Sequence, residues 1–233
     1  MIKQSAITFL TVLLLLPAAS RGRRNPVGED KELLKCANLT YAGSKSSVCF
    51  SEEFLSTIRR ETNCNPEVKF TPVRLARDDM FKFPFAIMTG EGSFRLMDRE
   101  REILKSYLMR GGFLLASAGC SSQEWDRSFR QEIRRIFPDK RLAKLKMNHP
   151  LFHTVFDIRT ITLKKGGTTQ LEGLEIDGKI VLIYSPEGLN DTATAGQKGK
   201  KGSRGSRCCC CGGNEIKNSR MINVNIFTYA LTH

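Results

Sequence analysis

The chain has few residues of the kinds that would identify its chemistry directly. Histidine occurs only three times in 233 residues, and no acidic residue precedes Glu29. Beyond the first twenty residues, no apolar run approaches the ~20 residues that cross a bilayer, so no transmembrane span is expected. Basic residues give a net charge of +13, but aromatic residues are not interleaved with them and no groove-reading motif occurs. Specific nucleic-acid binding is therefore not expected, and the charge is interpreted as solvated basic surface.

The first twenty residues have the three parts of a secretory signal peptide. Lys3 supplies a positive start, residues 6–16 are almost wholly apolar, and Ala18-Ala19-Ser20 supplies the small residues of a cleavage site. The apolar part is shorter than a membrane span, although an uncleaved N-terminal anchor is the alternative. The sequence predicts an exported protein, periplasmic or secreted, with a signal peptide at 1–20 and a flexible lead-in at 21–31.

Strands and helices alternate through the first part of the remaining chain. The helix that begins near Ser121 has the clearest pattern, because large apolar side chains recur at every fourth position and Ser121 with Glu124 fits a capping box. Asp98 is expected to cap the preceding helix, and Gly111-Gly112 to end it. The predicted strands cover residues 33–41, 68–75, 85–88 and 113–117.

The last part of the sequence predicts a hairpin, an insert and a C-terminal helix. Residues 174–184 are predicted to form the hairpin around Asp177-Gly178. Residues 186–213 are predicted to be a flexible basic and cysteine-rich insert, and residues 219–231 are predicted to form the helix. Buried strands that alternate with helices predict one α/β domain over residues 32–233. Its expected architecture has three layers, a mostly parallel sheet with helices on both faces.

Seven short blocks give the sequence a family resemblance. Their order and spacing resemble the bacterial family called domain of unknown function 4159, from about residue 35 to the C-terminus. The resemblance implies a flavodoxin-like sheet similar to that of class I glutamine amidotransferases, and it implies no particular reaction. The blocks are Asn38-Leu39-Thr40-Tyr41, residues 83–92, Gly111-Gly112-Phe113-Leu114, Trp125-Asp126-Arg127-Ser128-Phe129, Phe137-Pro138-Asp139, His149-Pro150 and residues 223–230.

Two loops at one edge of the predicted sheet form the candidate site. In open parallel sheets, ligands bind beyond the carboxyl ends of the strands, and two of the predicted strands end at such loops. Glycines on both sides of Glu91 allow a ligand to approach the backbone closely. Cys120 lies before a helix N-terminus, which favours the thiolate form. We expect a ligand crevice formed by Gly90, Glu91, Gly92, Cys120 and Ser121.

Cys120 is also the candidate nucleophile of a cysteine-dependent hydrolase or amidase. Such an enzyme needs a base, for which His149 and His153 are candidates, with Glu91 to orient one of them. The amidotransferase elbow has glycine two residues to each side of its cysteine, where this chain has alanine and serine, and the downstream H-x-E pairing is absent. A non-catalytic binding module is therefore preferred, with its ligand expected near Glu91, Cys120 and His149. The other interpretation of His149 is that it caps the following turn. Its partner is an unknown small molecule or exported protein, and no cofactor is identified.

The eight cysteines include four consecutive ones. Zinc sites prefer C-x₂₋₄-C spacing, so disulfides are the simpler expectation for an exported protein, with up to four bridges of open connectivity. A redox- or metal-responsive function of the consecutive cysteines is the alternative, and no other metal site is expected. The consecutive cysteines are Cys208, Cys209, Cys210 and Cys211, and the others are Cys36, Cys49, Cys64 and Cys120.

Overall fold

The computed structural model describes residues 33–42, 50, 53–189 and 214–233. Its strands are β1 (Cys36–Thr40), β2 (Thr71–Arg74), β3 (Phe85–Gly90), β4 (Phe113–Ala118), β5 (Ala143–Lys144), β6 (Ile161–Thr162), β7 (Thr168–Thr169), β8 (Glu172–Ile176) and β9 (Lys179–Ser185). Its α-helices are α1 (Glu53–Glu61), α2 (Asp98–Met109), α3 (Gln123–Ile136) and α4 (Ser219–Thr232). The hairpin and the C-terminal helix that the sequence predicts are thus present as β8–β9 and α4.

Seven of the strands form one sheet in the order β2-β1-β3-β4-β9-β8-β5. The pairings from β2 to β9 are parallel, whereas β8 is antiparallel to β9 and β5 is antiparallel to β8. With β9 counted as the fifth parallel strand, the order is the 2-1-3-4-5 arrangement of flavodoxin-like folds. The predicted three-layer, mostly parallel α/β architecture is confirmed.

Helices cover both faces of the sheet. On one face, Phe54 of α1 and Phe227 of α4 pack against Phe85, with ring centroids 6.3 and 4.8 Å away. On the other face, Phe129 of α3 stacks on Tyr184 at 4.6 Å. All six residues of β4 are buried, as a strand covered on both faces requires. The prediction that residues 113–117 form an interior strand is confirmed.

The start of α2 differs from the prediction. Met97, and not Asp98, occupies the N-cap position. The reason is Glu100, whose buried carboxylate accepts hydrogen bonds from the backbone N–H of Met97 at 2.8 Å and of Ala42 at 2.9 Å. The Glu100 carboxylate therefore caps the N-terminus of α2 and also holds the segment that follows β1 in place.

The first residues of the predicted insert are packed against the sheet. Leu189 is fully buried, and its N–H donates to Oγ of Ser117 at 3.2 Å. Gly188 forms a parallel bridge with Glu215. Residues 190–213 lie outside the described residues, as do residues 1–32 with the predicted leader and lead-in. Within the described residues, no helix has both the length and the apolar composition that crossing a membrane requires.

Candidate functional site

The ends of β3 and β4 lie side by side at the carboxyl edge of the sheet. Gly90 is paired with Ala118 in the ladder, so the residues that follow them are neighbours. The thiol of Cys120 donates a hydrogen bond to Oε1 of Glu91, with a sulfur–oxygen distance of 3.2 Å. The structure therefore brings together the two loops that the sequence predicts as a site. β3 runs two residues beyond its predicted end, so Gly90 belongs to the strand.

Two consecutive residues after β4 have a left-handed backbone. The φ angles of Cys120 and Ser121 are 51° and 53°, a conformation that costs L-residues about 1–2 kcal/mol each. This turn displaces the helix cap by one residue. Ser122 is the N-cap of α3, and its Oγ accepts from the N–H of Trp125 at 3.3 Å. The predicted capping box at Ser121 is therefore wrong by one position.

Ser122 also joins the two loops. Its Oγ accepts a second hydrogen bond from the backbone N–H of Gly92 at 3.2 Å. Gly92 has a φ of 76°, which glycine adopts without strain. The loop after β3 is thereby held against the start of α3.

Ser121 extends the cluster to the segment after β9. Its Oγ lies 2.7 Å from Oε2 of Glu187 and 2.7 Å from the carbonyl oxygen of Asn214. A hydroxyl has one proton, so it donates to one of these acceptors at a time. Ser117 and Ser185 both donate to the Glu187 carbonyl, at 3.0 and 2.8 Å. We call Glu91, Cys120, Ser121 and Glu187 the edge cluster.

The edge cluster contains two carboxylates that no described lysine or arginine neutralises. Within the described residues, neither Glu91 nor Glu187 takes part in an ion pair, and their side chains contact Cys120 and Ser121. By contrast, the buried carboxylates of Glu132 and Glu172 are each bonded to arginine. The two cluster carboxylates can therefore accept hydrogen bonds from a ligand.

His149 lies at the opposite end of the sheet from Cys120. It lines a cleft with Glu175 and Ile180, near the start of β9, whereas Cys120 follows β4 beside the end of β9. Ile180, near the start of β9, and Ser185, at its end, are five residues apart, which corresponds to about 16 Å along the strand. The Nδ1 of His149 accepts from the N–H of Leu151 at 3.2 Å, so it caps the following turn, as one of its two interpretations predicted.

The other two histidines also form their contacts with residues other than Cys120. The Nδ1 of His153 lies 2.7 Å from Oδ1 of Asp157, and its Nε2 lies 2.8 Å from the Met147 carbonyl. The ring of His233 stacks on Tyr229 at 4.5 Å. In the part of the chain that the structure describes, no histidine is hydrogen-bonded to Cys120, and the hydrolase hypothesis therefore lacks its base there.

No disulfide links any two of the described cysteines, Cys36, Cys64 and Cys120. Burial, with the charge of Glu67, raises the pKa of the Cys36 thiol to about 12. Cys49 and residues 208–211 lie outside the described residues. Among the described residues, no group of three or more histidine, cysteine, aspartate or glutamate side chains is placed to hold a metal ion.

Two cavities are lined by described residues around β5 and β8. Their volumes are about 630 and 550 Å³, and they share Lys144 as a lining residue. Neither includes Glu91, Cys120 or Ser121. These two cavities are therefore separate from the edge cluster.

The strand order and the edge cluster define a flavodoxin-like α/β protein with polar side chains at the carboxyl edge of its sheet. A sequence model of the family described as "Domain of unknown function (DUF4159)" matches residues 35–231. The chain belongs to this family, as the sequence blocks indicated. No curated protein matches the chain.

Proposed function

We propose that this chain is an exported, non-catalytic binding module, built on a sheet similar to that of class I glutamine amidotransferases. Its ligand is a small molecule held at the edge cluster. Family membership and the 2-1-3-4-5 strand order support the architecture. The single observation that carries the binding role is the placement of the Glu91 and Glu187 carboxylates around Cys120 and Ser121, with no ion pair in the described residues.

The chemistry of the edge cluster favours a ligand with hydrogen-bond donors. Two carboxylates supply acceptors to an amine, amide or guanidinium group, and charged donors give the stronger bonds. The left-handed turn at Cys120 and Ser121 supports a functional role, because such strain is concentrated at ligand and active sites. A binding role is preferred to catalysis because no described histidine contacts Cys120.

Thermal unfolding of the purified protein with putrescine, agmatine and amino-acid amides as probes tests the binding role. A probe at 100 times its Kd adds about 2.7 kcal/mol to the free energy of unfolding, which raises Tm by about 5–10 °C for a chain of this size. We expect at least one probe to do so, and expect Glu91→Gln and Glu187→Gln to reduce the shift.

The matched control is Glu53→Gln, which neutralises an exposed carboxylate at the start of α1. This variant should keep the full shift. If no probe raises Tm, or if all three variants respond as the wild type does, the edge cluster is not the ligand site.

The export proposal is supported by the pattern of residues 1–20 and has its own test. Expressed with its leader in a bacterial host, the protein should be recovered from the periplasm or the medium with Arg21 as its first residue. Mass spectrometry of the intact protein measures this. A chain that keeps Met1 and stays in the cytoplasm contradicts export.

A further inference from the structure

A cleft with an excess of positive charge lies beside the edge strand β5. Its volume is about 630 Å³, within the range of about 300–1,000 Å³ that is usual for ligand-binding clefts. Ala143 and Lys144 of β5 line it, together with Lys140, Arg141 and Lys146, which lie just before and just after this strand in the sequence. We call this the basic cleft.

The positive charge of the basic cleft is not neutralised by neighbouring side chains. None of its three lysines, nor Arg141, takes part in an ion pair within the described residues. Glu175 is the carboxylate among its lining residues. The nearby Glu172 is bonded to Arg130 through both oxygens, at 2.7 and 2.9 Å. The cleft therefore attracts a ligand with several negative charges.

As far as the structure describes the chain, the strand beside the basic cleft has one unpaired edge. β8 is the one strand with which β5 pairs in the described part of the chain, and Ala143 and Lys144 are both exposed. An open strand edge offers N–H and C=O groups to an added strand. Lysine on such an edge repels another basic strand and attracts an acidic one.

We propose that an acidic, extended segment of a partner protein docks on β5 as an added strand, with its carboxylates in the basic cleft. The chain itself does not supply this segment. Residues 190–213 carry five basic residues and one acidic residue, and residues 1–32 also carry more basic than acidic residues. A separate acidic partner is therefore the occupant that the charges favour.

The basic cleft and the edge cluster are independent. Glu175 and Ile180 line the cleft at the start of β9, whereas Glu187 follows the end of that strand. Substitutions in one can thus be tested without altering the other, and either proposal can fail alone.

Fluorescence anisotropy of a labelled peptide of alternating Glu and Val, titrated with the purified protein, tests the proposal. We expect binding that weakens with salt, and no binding of the matching Gln and Val peptide. The double variant Lys144→Glu, Lys146→Glu should lower the affinity about tenfold or more, since attraction becomes repulsion. The control Lys69→Glu, Lys105→Glu changes the net charge equally at exposed positions elsewhere and should bind nearly as the wild type.

Three results would each overturn the proposal. The first is absence of peptide binding, or equal loss of affinity in the two double variants. The second is unchanged affinity for a peptide N-methylated at alternate residues, because an added strand needs its N–H groups. The third is tighter binding of single-stranded RNA or polyphosphate at the same lysines, which would make the cleft a site for polyanions in general.

Discussion

The indole N–H of Trp125 donates a 2.6 Å hydrogen bond to the hydroxyl of Tyr41. That hydroxyl donates in turn to the carbonyl of Thr89 at 3.2 Å, two residues before Glu91. Both rings are buried. This pair therefore joins α3, the end of β1 and the end of β3 directly behind the edge cluster.

Tyr41→Phe is expected to lower the free energy of unfolding by about 1–3 kcal/mol, because the buried indole N–H loses this acceptor. Urea unfolding followed by the fluorescence of the one tryptophan measures the change. The control is Tyr229→Phe, since the Tyr229 hydroxyl makes no hydrogen bond within the described residues and its removal should have little effect. Equal losses in the two variants would show that the hydrogen bond at Tyr41 contributes nothing.

The two glycines after α2 are expected to resist substitution to different degrees. Gly111 has a φ of 92° with open space around a new Cβ, whereas a Cβ on Gly112 would lie 2.3 Å from the Tyr107 ring. Gly111→Ala should cost about 1–2 kcal/mol of backbone strain. Gly112→Ala should cost more, about 3 kcal/mol, since the buried ring must move. Urea midpoints of the two variants compare them, and the reverse order would contradict the packing at Tyr107.

Alkylation by iodoacetamide should distinguish the described cysteines. Cys36 is fully buried and burial raises its pKa to about 12, so it should remain unmodified in the folded protein at mildly alkaline pH and react in urea. Cys64 is half-buried and should react while folded. Peptide mass spectrometry follows both sites, and a rapid reaction of folded Cys36 contradicts its burial.

Acidification is expected to destabilise the protein in part through His149. Burial lowers the pKa of His149, the charge of His233 lowers it further, and Glu175 opposes them. The unfolded chain therefore binds the proton at a higher pH than the folded chain. The contribution of this pKa difference to the free energy of unfolding has its full value above about pH 6.5. It decreases as the pH falls through the unfolded-state pKa toward the lower folded-state pKa.

Two measurements check this expectation. The imidazole signal of His149 in NMR spectra should titrate with a midpoint below about 6.5. His149→Asn keeps a hydrogen-bond acceptor for Leu151 but does not titrate, so its urea midpoint should fall less between about pH 7 and pH 5. A variant that loses as much stability as the wild type excludes His149 as a cause.

Much of the fold could be predicted because its central elements are determined by local patterns. Residues 113–116 are continuously apolar and follow two glycines, which is typical of a buried strand. Trp125, Phe129 and Ile133 fall on one face of a helix, and all three are buried. β5, β6 and β7 have two residues each and no periodicity, so tertiary pairing forms them and no sequence pattern could show them.

The candidate site was predicted only as far as chain topology allowed. Glu91 and Cys120 lie close together because both follow parallel strands, but this rule does not predict the position of His149. Helix α3 returns the chain to the amino end of the sheet, so the residues after it begin far from Cys120. Glu187 was missed, although it follows β9, which is parallel to β4. Applying the strand-end rule to β9 would have found it.

The bridge between Gly188 and Glu215 places these two residues side by side. Each doubling of the length of a flexible connection costs only about 0.6 kcal/mol of closure entropy, so insertions or deletions between Gly188 and Glu215 should leave the sheet undisturbed. Because Glu187 and Asn214 both contact Ser121, every such change begins and ends beside the edge cluster. Replacement of this one segment is therefore expected to change the ligand preference of the edge cluster while the sheet stays unaltered.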